Sequence, residues 1–109
     1  MPTVYKVLGQ QIPAANTLTT VYQVPVGNSA VVSTITVCNQ GTANATYKIA
    51  VQKANAAIAS NHYIAFDAVV LAKDTVALTF GLTLDANTVV SANCSIANVS
   101  VNVFGSEVY

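Results

Sequence analysis

The sequence predicts an all-β chain folded as a single antiparallel β-sandwich, and three observations carry that reading. Apolar and polar residues alternate with a period of two from one end of the chain to the other. Clusters of Pro, Gly, Asn and Asp interrupt the alternation at short, regular intervals. Val, Ile, Thr and Tyr, the residues that suit a pleated half-buried surface, dominate the segments between them. About eight short strands follow, in one domain spanning residues 1–109. Strand order is not readable from such a pattern, so jelly-roll and immunoglobulin-like topologies both remain open.

Taken in order, the strands are expected at Thr3–Leu8, Leu18–Val24, Val31–Cys38, Tyr47–Gln52, Tyr63–Val70, Thr75–Leu82, Val89–Ala92 and Ala97–Phe104. In the last, Ala97, Val99, Val101 and Val103 point to one face and Asn98, Ser100 and Asn102 to the other. In the third, Val31, Ser33, Ile35 and Val37 oppose Val32, Thr34, Thr36 and Cys38, which puts Cys38 on the polar face. Pro25-Val26-Gly27-Asn28, Lys73-Asp74 and Asp85-Ala86-Asn87 supply turns, and Asn39-Gln40-Gly41-Thr42 reads as a hairpin. Lys53–Asn61 is rich in alanine but too short for a stable helix, and reads as a loop with one helical turn over an end of the sandwich. The ends, Met1–Val7 and Gly105–Tyr109, read as strand-like arms able to pair with the sheet edge of a neighbour.

Composition narrows the function. Charged residues make up 7% of the chain, against roughly 25% in an ordinary soluble domain. The formal net charge is zero and the mean hydropathy is +0.54. So little charge does not keep copies apart, and the surface is expected to meet protein more than water. The four lysines (Lys6, Lys48, Lys53, Lys73) are scattered and there is no arginine, which argues against a nucleic-acid partner. The apolar runs fall well short of the ~20 residues of a membrane-spanning helix, so no membrane partner is expected. No basic segment followed by an apolar run opens the chain, so no export signal is expected.

The chemistry of a catalytic site is hard to assemble here. His62 is the single histidine and has only Asp67 as an acid nearby in sequence, so the His62-Tyr63 region reads as an ordinary polar junction. Asp67, Asp74, Asp85 and Glu107 are dispersed, and two of them fall in turns. Cys38 and Cys94 lack metal or redox spacing and are expected to be free thiols. The five glycines stand singly, so no phosphate-cradling loop exists. No enzyme, no catalytic residue, no metal site and no cofactor is expected. Tyr22 and Tyr47 are expected in the core. The candidate interface residues are Tyr5, Val108 and Tyr109 at the ends, with Ala56, Ala57, Ile58 and Asn61 in the alanine-rich loop.

The segment Leu18–Gly41, a strand ending Tyr22-Gln-Val-Pro-Val-Gly27 followed by a long strand ending Cys38-Asn-Gln-Gly41, resembles small virion structural proteins of tailed bacteriophages, cyanophages among them. The likeness continues through Tyr47–Val51 and His62-Tyr63 to Asn102–Glu107. It implies a virion component made in the host cytoplasm. Its finer form is a capsid decoration or cement protein, a homotrimer on the capsid exterior that bridges major capsid subunits. A tail fibre, baseplate or tail-tip module is the alternative position, and a stand-alone sugar-binding module a third reading.

Overall fold

A computed structural model describes residues 2–109, which form eight strands and one short 3-10 turn. The strands are β1 (Thr3–Gln11), β2 (Thr19–Gln23), β3 (Ser29–Asn39), β4 (Ala45–Lys53), β5 (Tyr63–Val70), β6 (Thr75–Leu84), β7 (Thr88–Cys94) and β8 (Val99–Val108). The 3-10 turn, Ser60–His62, lies in the alanine-rich segment. Two four-stranded antiparallel sheets result, ordered β1-β8-β3-β6 and β2-β7-β4-β5. The pairs β1/β8, β2/β7, β3/β6 and β4/β5 are the rungs of one long antiparallel ribbon, which then folds over so that β8 meets β3 and β7 meets β4. That double Greek key is the jelly roll, and it settles the topology left open above.

The core lies between the sheets. Val32, Ile35, Val37, Val99, Val101 and Val103 enter it from the first sheet, and Val24, Tyr47, Ile49, Val70 and Val90 from the second. Tyr22 and Tyr47 are buried there, as their strand positions predicted. Asn39, also buried, is fully bonded. Its Nδ2 donates to the carbonyls of Ala43 (2.8 Å) and Val70 (3.3 Å), and its Oδ1 accepts from the Gly41 N–H. One side chain thus ties the end of β3 to the end of β5 in the opposite sheet.

Four expectations change. The Asn39–Thr42 turn is not a hairpin, because β3 and β4 belong to different sheets and the chain crosses between them. The alternation in β3 reverses phase: Val31 and Ser33 face outward while Val32 is buried. The cause is a bulge between Val32 and Thr34, which shifts the pleat by one residue without any sequence signal. Ala97 lies before β8 and is exposed. Finally, the ends are not free arms. Residues 105–108 complete β8, which lies between β1 and β3, with Thr3 opposite Val108 and Tyr5 opposite Ser106. Met1, the first residue of the expected N-terminal arm, lies outside the described residues.

Two glycines make the bulges possible. A Cβ on Gly105 would stand 2.0 Å from the Val31 carbonyl oxygen, where β3 bulges toward β8. A Cβ on Gly9 would stand 2.0 Å from the Val21 oxygen, where β1 approaches β2 across the side of the sandwich. Both obstacles are backbone and cannot swing away. Gly105→Ala is therefore expected to lose about 1–3 kcal/mol of stability in urea unfolding. Gly81→Ala, at an open position of β6, is expected to change little.

Candidate interaction surfaces

The titratable residues serve the architecture. Glu107, only 4% exposed, points into the sandwich from β8. The Tyr22 hydroxyl, from the other sheet, donates to its Oε2 at 2.5 Å, and Lys6 of β1 reaches its Oε1 at 3.0 Å. The Tyr22 hydrogen bond, with Lys6 beside it, holds the Glu107 carboxyl below its ordinary range against the opposing effect of burial. Burial and the adjoining carboxylate push the Tyr22 hydroxyl well above the usual phenol range. Lys48 pairs with Asp67 at 2.5 Å, and Lys53 pairs with Asp85. Lys53 and the Thr88 hydroxyl together hold the Asp85 carboxyl below its ordinary range. Asp74 caps a turn by accepting from the Thr75 N–H, and His62 Nδ1 accepts from the Ala59 N–H. All four acids and the histidine thus have structural partners. Cys38 is half-buried and Cys94 is buried, with the Cys94 thiol pushed up to about 11 by that burial.

The surface also offers apolar contact. On the outer face of the first sheet, Tyr5, Ser106 and Val31 stand on one rung across β1, β8 and β3. Tyr5 is 86% exposed, and it borders a shallow depression with Val31, Ser33 and Phe104. Val108 lies on the same outer face one rung away, opposite Thr3 and Ser29, and is half-buried. Tyr109 donates its backbone N–H to the Pro2 carbonyl, which keeps it beside the start of β1 with half its surface exposed. Three of the candidate residues, Tyr5, Val108 and Tyr109, therefore gather at one corner.

The loop candidates lie elsewhere. Ala57, Ile58 and Asn61 are exposed and Ala56 is half-buried in the connection from β4 to β5, in the second sheet. Gln52 Nε2 donates to the Ala56 carbonyl and holds the loop near β4. This segment leads into a second apolar surface that sequence reasoning did not single out. Ile64, Phe66, Val69 and Leu71 are all exposed along and just beyond β5. Phe66 is 61% exposed yet held in place. Its ring meets Tyr63 edge-on at 5.2 Å, and Lys48 Nζ lies 4.9 Å from its centre. At Asp67 the backbone turns left-handed (φ 54°) and the strand bulges, so Val69 continues the outward row.

The signal for this surface was present in Tyr63–Val70, where every residue but Asp67 is apolar. Such a run normally marks a strand covered on both faces. Here it forms a sheet edge, and its outer row is left facing solvent.

The pH dependence of stability follows from Glu107. Its carboxyl is lowered on folding, so its contribution is present above the unfolded value of about 4.3 and is lost as pH falls through the lower folded value. The stability gap between the wild-type chain and Glu107→Gln is expected to stay level above about pH 5 and to close in more acidic solution, read from urea midpoints across a pH series. For the thiols, one group is expected to react with an aromatic disulfide reagent at neutral pH in the folded chain, Cys38, with Cys94 following only on unfolding.

No protein-family model matches the chain, and a search of curated proteins gives no match. Among solved structures it is similar to a pentameric capsid protein isolated from metagenomic phage sequences, seen in two crystal structures. The identity is 20% and the TM-score 0.40 in each case. The match covers 95% of this chain but 64% and 62% of those chains, so this chain spans a little under two thirds of their length. A likeness at that level decides nothing about what this chain assembles with.

Proposed function

We propose that this protein is a non-enzymatic structural subunit of a phage virion, in its finer form a decoration protein on the capsid exterior that bridges major capsid subunits. The observation that carries the reading is a pair of separate apolar surfaces on a chain with 7% charged residues. The Tyr5–Val31–Phe104 surface is on one sheet, and the Ile64–Phe66–Val69–Leu71 surface borders the other. A bridging part needs two contact surfaces that do not compete for one partner, and a two-layer sandwich separates them by its own thickness. Exposed aromatic anchors, one of them already ordered by its neighbours, suit a contact that must exclude water.

Mechanically, such a subunit adds buried area across joints in a shell, so rupture must break more contacts. An interface of roughly 1,200–2,000 Å² is the usual size for a stable complex. A repeated lattice lets modest contacts accumulate through multivalency, and the homotrimer implied by the sequence resemblance is the form expected there. The jelly roll agrees with this use, although it also builds lectins and cupins and does not select among them.

The test is binding to phage shells stripped of their small proteins, followed by the rupture temperature of the decorated shells. The wild-type chain is expected to saturate the shells and raise that temperature. Phe66→Asp and Tyr5→Asp, both at exposed positions, are each expected to weaken binding by about 2 kcal/mol, roughly thirtyfold, with the folded circular dichroism spectrum unchanged. Shells that bind neither the wild-type chain nor the variants would overturn the reading. Retention on a glycan array, lost in Phe66→Asp, would then point to the sugar-binding module.

A further inference from the structure

A sheet edge presents a row of N–H and C=O groups on which another strand can pair, and folded proteins guard such edges against chance pairing. Among the described residues four strands lie at edges: β1, β2, β5 and β6. β1 carries Lys6 and a bulge at Leu8, and it approaches β2 closely at Gly9. β2 is five residues long and is itself bulged. β5 is broken by the left-handed Asp67, which is tied to Lys48. β6 is bulged as well, with Phe80 and Gly81 between its pairings to Val32 and Thr34, but its side chains supply no other guard. Its ten residues, Thr75–Leu84, contain no charge and no proline, and they alternate outward and inward without interruption. Their inward row, Val76, Leu78, Phe80 and Leu82, is only half-buried although it packs against the core. Extension of the sheet by one more strand would cover that row.

We infer that β6 pairs with β6 of a second copy of this chain, antiparallel about a two-fold axis, to give one continuous eight-stranded sheet. Three features favour a second copy over another strand. Residues directly opposite one another in a sheet point to the same face, so a two-fold ribbon accepts only registers that set inward residues against inward ones. β6 meets that requirement along its whole length. With Thr79 on the axis, Leu78 faces the partner's Phe80 and Val76 faces the partner's Leu82, continuing the apolar row. Thr75 faces the partner's Thr83 on the outer side, a favourable cross-strand pair. The same register brings Lys73, just before the strand, level with the partner's Asp85, just after it, so a second lysine joins the Lys53–Asp85 pair at each end of the ribbon. This contact uses neither the Tyr5 surface nor the Phe66 row, and it does not depend on a virion setting.

The contact predicts an even number of copies, whether two chains pair alone or two trimers pair through their edges. Sedimentation equilibrium of the wild-type chain is expected to give an even multiple of the monomer mass. Ala77→Lys with Thr79→Lys, both outward and exposed, adds like charges about the axis and is expected to halve that mass with the circular dichroism spectrum unchanged. Thr79→Cys in a Cys38→Ser background is expected to form a disulfide-linked dimer on mild oxidation. Thr19→Cys in the same background, on β2, is expected to remain uncrosslinked. A wild-type monomer, an odd-numbered oligomer, or a mass that the lysine variant retains would each overturn the proposal, as would a Thr79→Cys chain that fails to cross-link.

Discussion

Most of this structure depends on where β8 lies. It is the strand that joins β1 to the rest of the first sheet, and its Glu107 is a polar link from that sheet to the other. A carboxylate placed in an apolar interior is costly unless its partners are fixed in advance. Here Tyr22 and Lys6 come from strands separated from Glu107 by most of the chain, so the charge is tolerable only when β1, β2 and β8 are all in place. The same strand supplies Gly105, whose missing side chain lets β3 bulge toward it. The bulge then decides which side chains of β3 meet the core and which reach the surface. Val31 faces outward because of it, and so belongs to the Tyr5 surface.

The two apolar surfaces therefore have different origins. The one on the first sheet is composed from three strands and exists only in the assembled sheet. The one beside β5 is local, written into a single apolar run that has a partner strand on one side only. Lys48 is important to the second surface, since it neutralises Asp67 and lies over the Phe66 ring at the same time. An exposed aromatic fixed in this way loses little conformational freedom when it is covered, which is the property that separates an anchor from a merely greasy position.

Much of the fold was legible in the sequence, and the failures have a common cause. Eight strands, their approximate positions, the Asx-rich turns at Lys73-Asp74 and Asp85–Asn87, and the buried tyrosines all follow from local pattern, and local pattern is what alternation and turn chemistry record. What alternation does not record is the identity of the neighbour. It could not show that Gly105–Val108 is an interior segment of a sheet and not an arm, because either would use the same residues. Nor could it show that β7, interrupted by Ser91 and Asn93, is central, while the apolar β5 is an edge. The bulge in β3 is lost for the same reason, since it is a relation between two strands. Of the surface residues, Tyr5 and Tyr109 could be picked out because they are aromatic and near the ends, whereas Phe66 resembled core until its sheet position was known.

The ribbon-like pairing also sets a schedule for synthesis. β4 and β5 are adjacent in the growing chain and can pair first, after which β3 meets β6 and β2 meets β7 as each second strand is made. β1 is made first but has no strand to lie against until β8 has been made, and pairings so distant in sequence form slowly. During that wait Tyr5, Val31 and Phe104 belong to three unconnected stretches of polypeptide. The surface they compose is thus a signature of completion: a nascent or truncated chain lacks it, and a lattice that selects subunits by it would take up only finished copies.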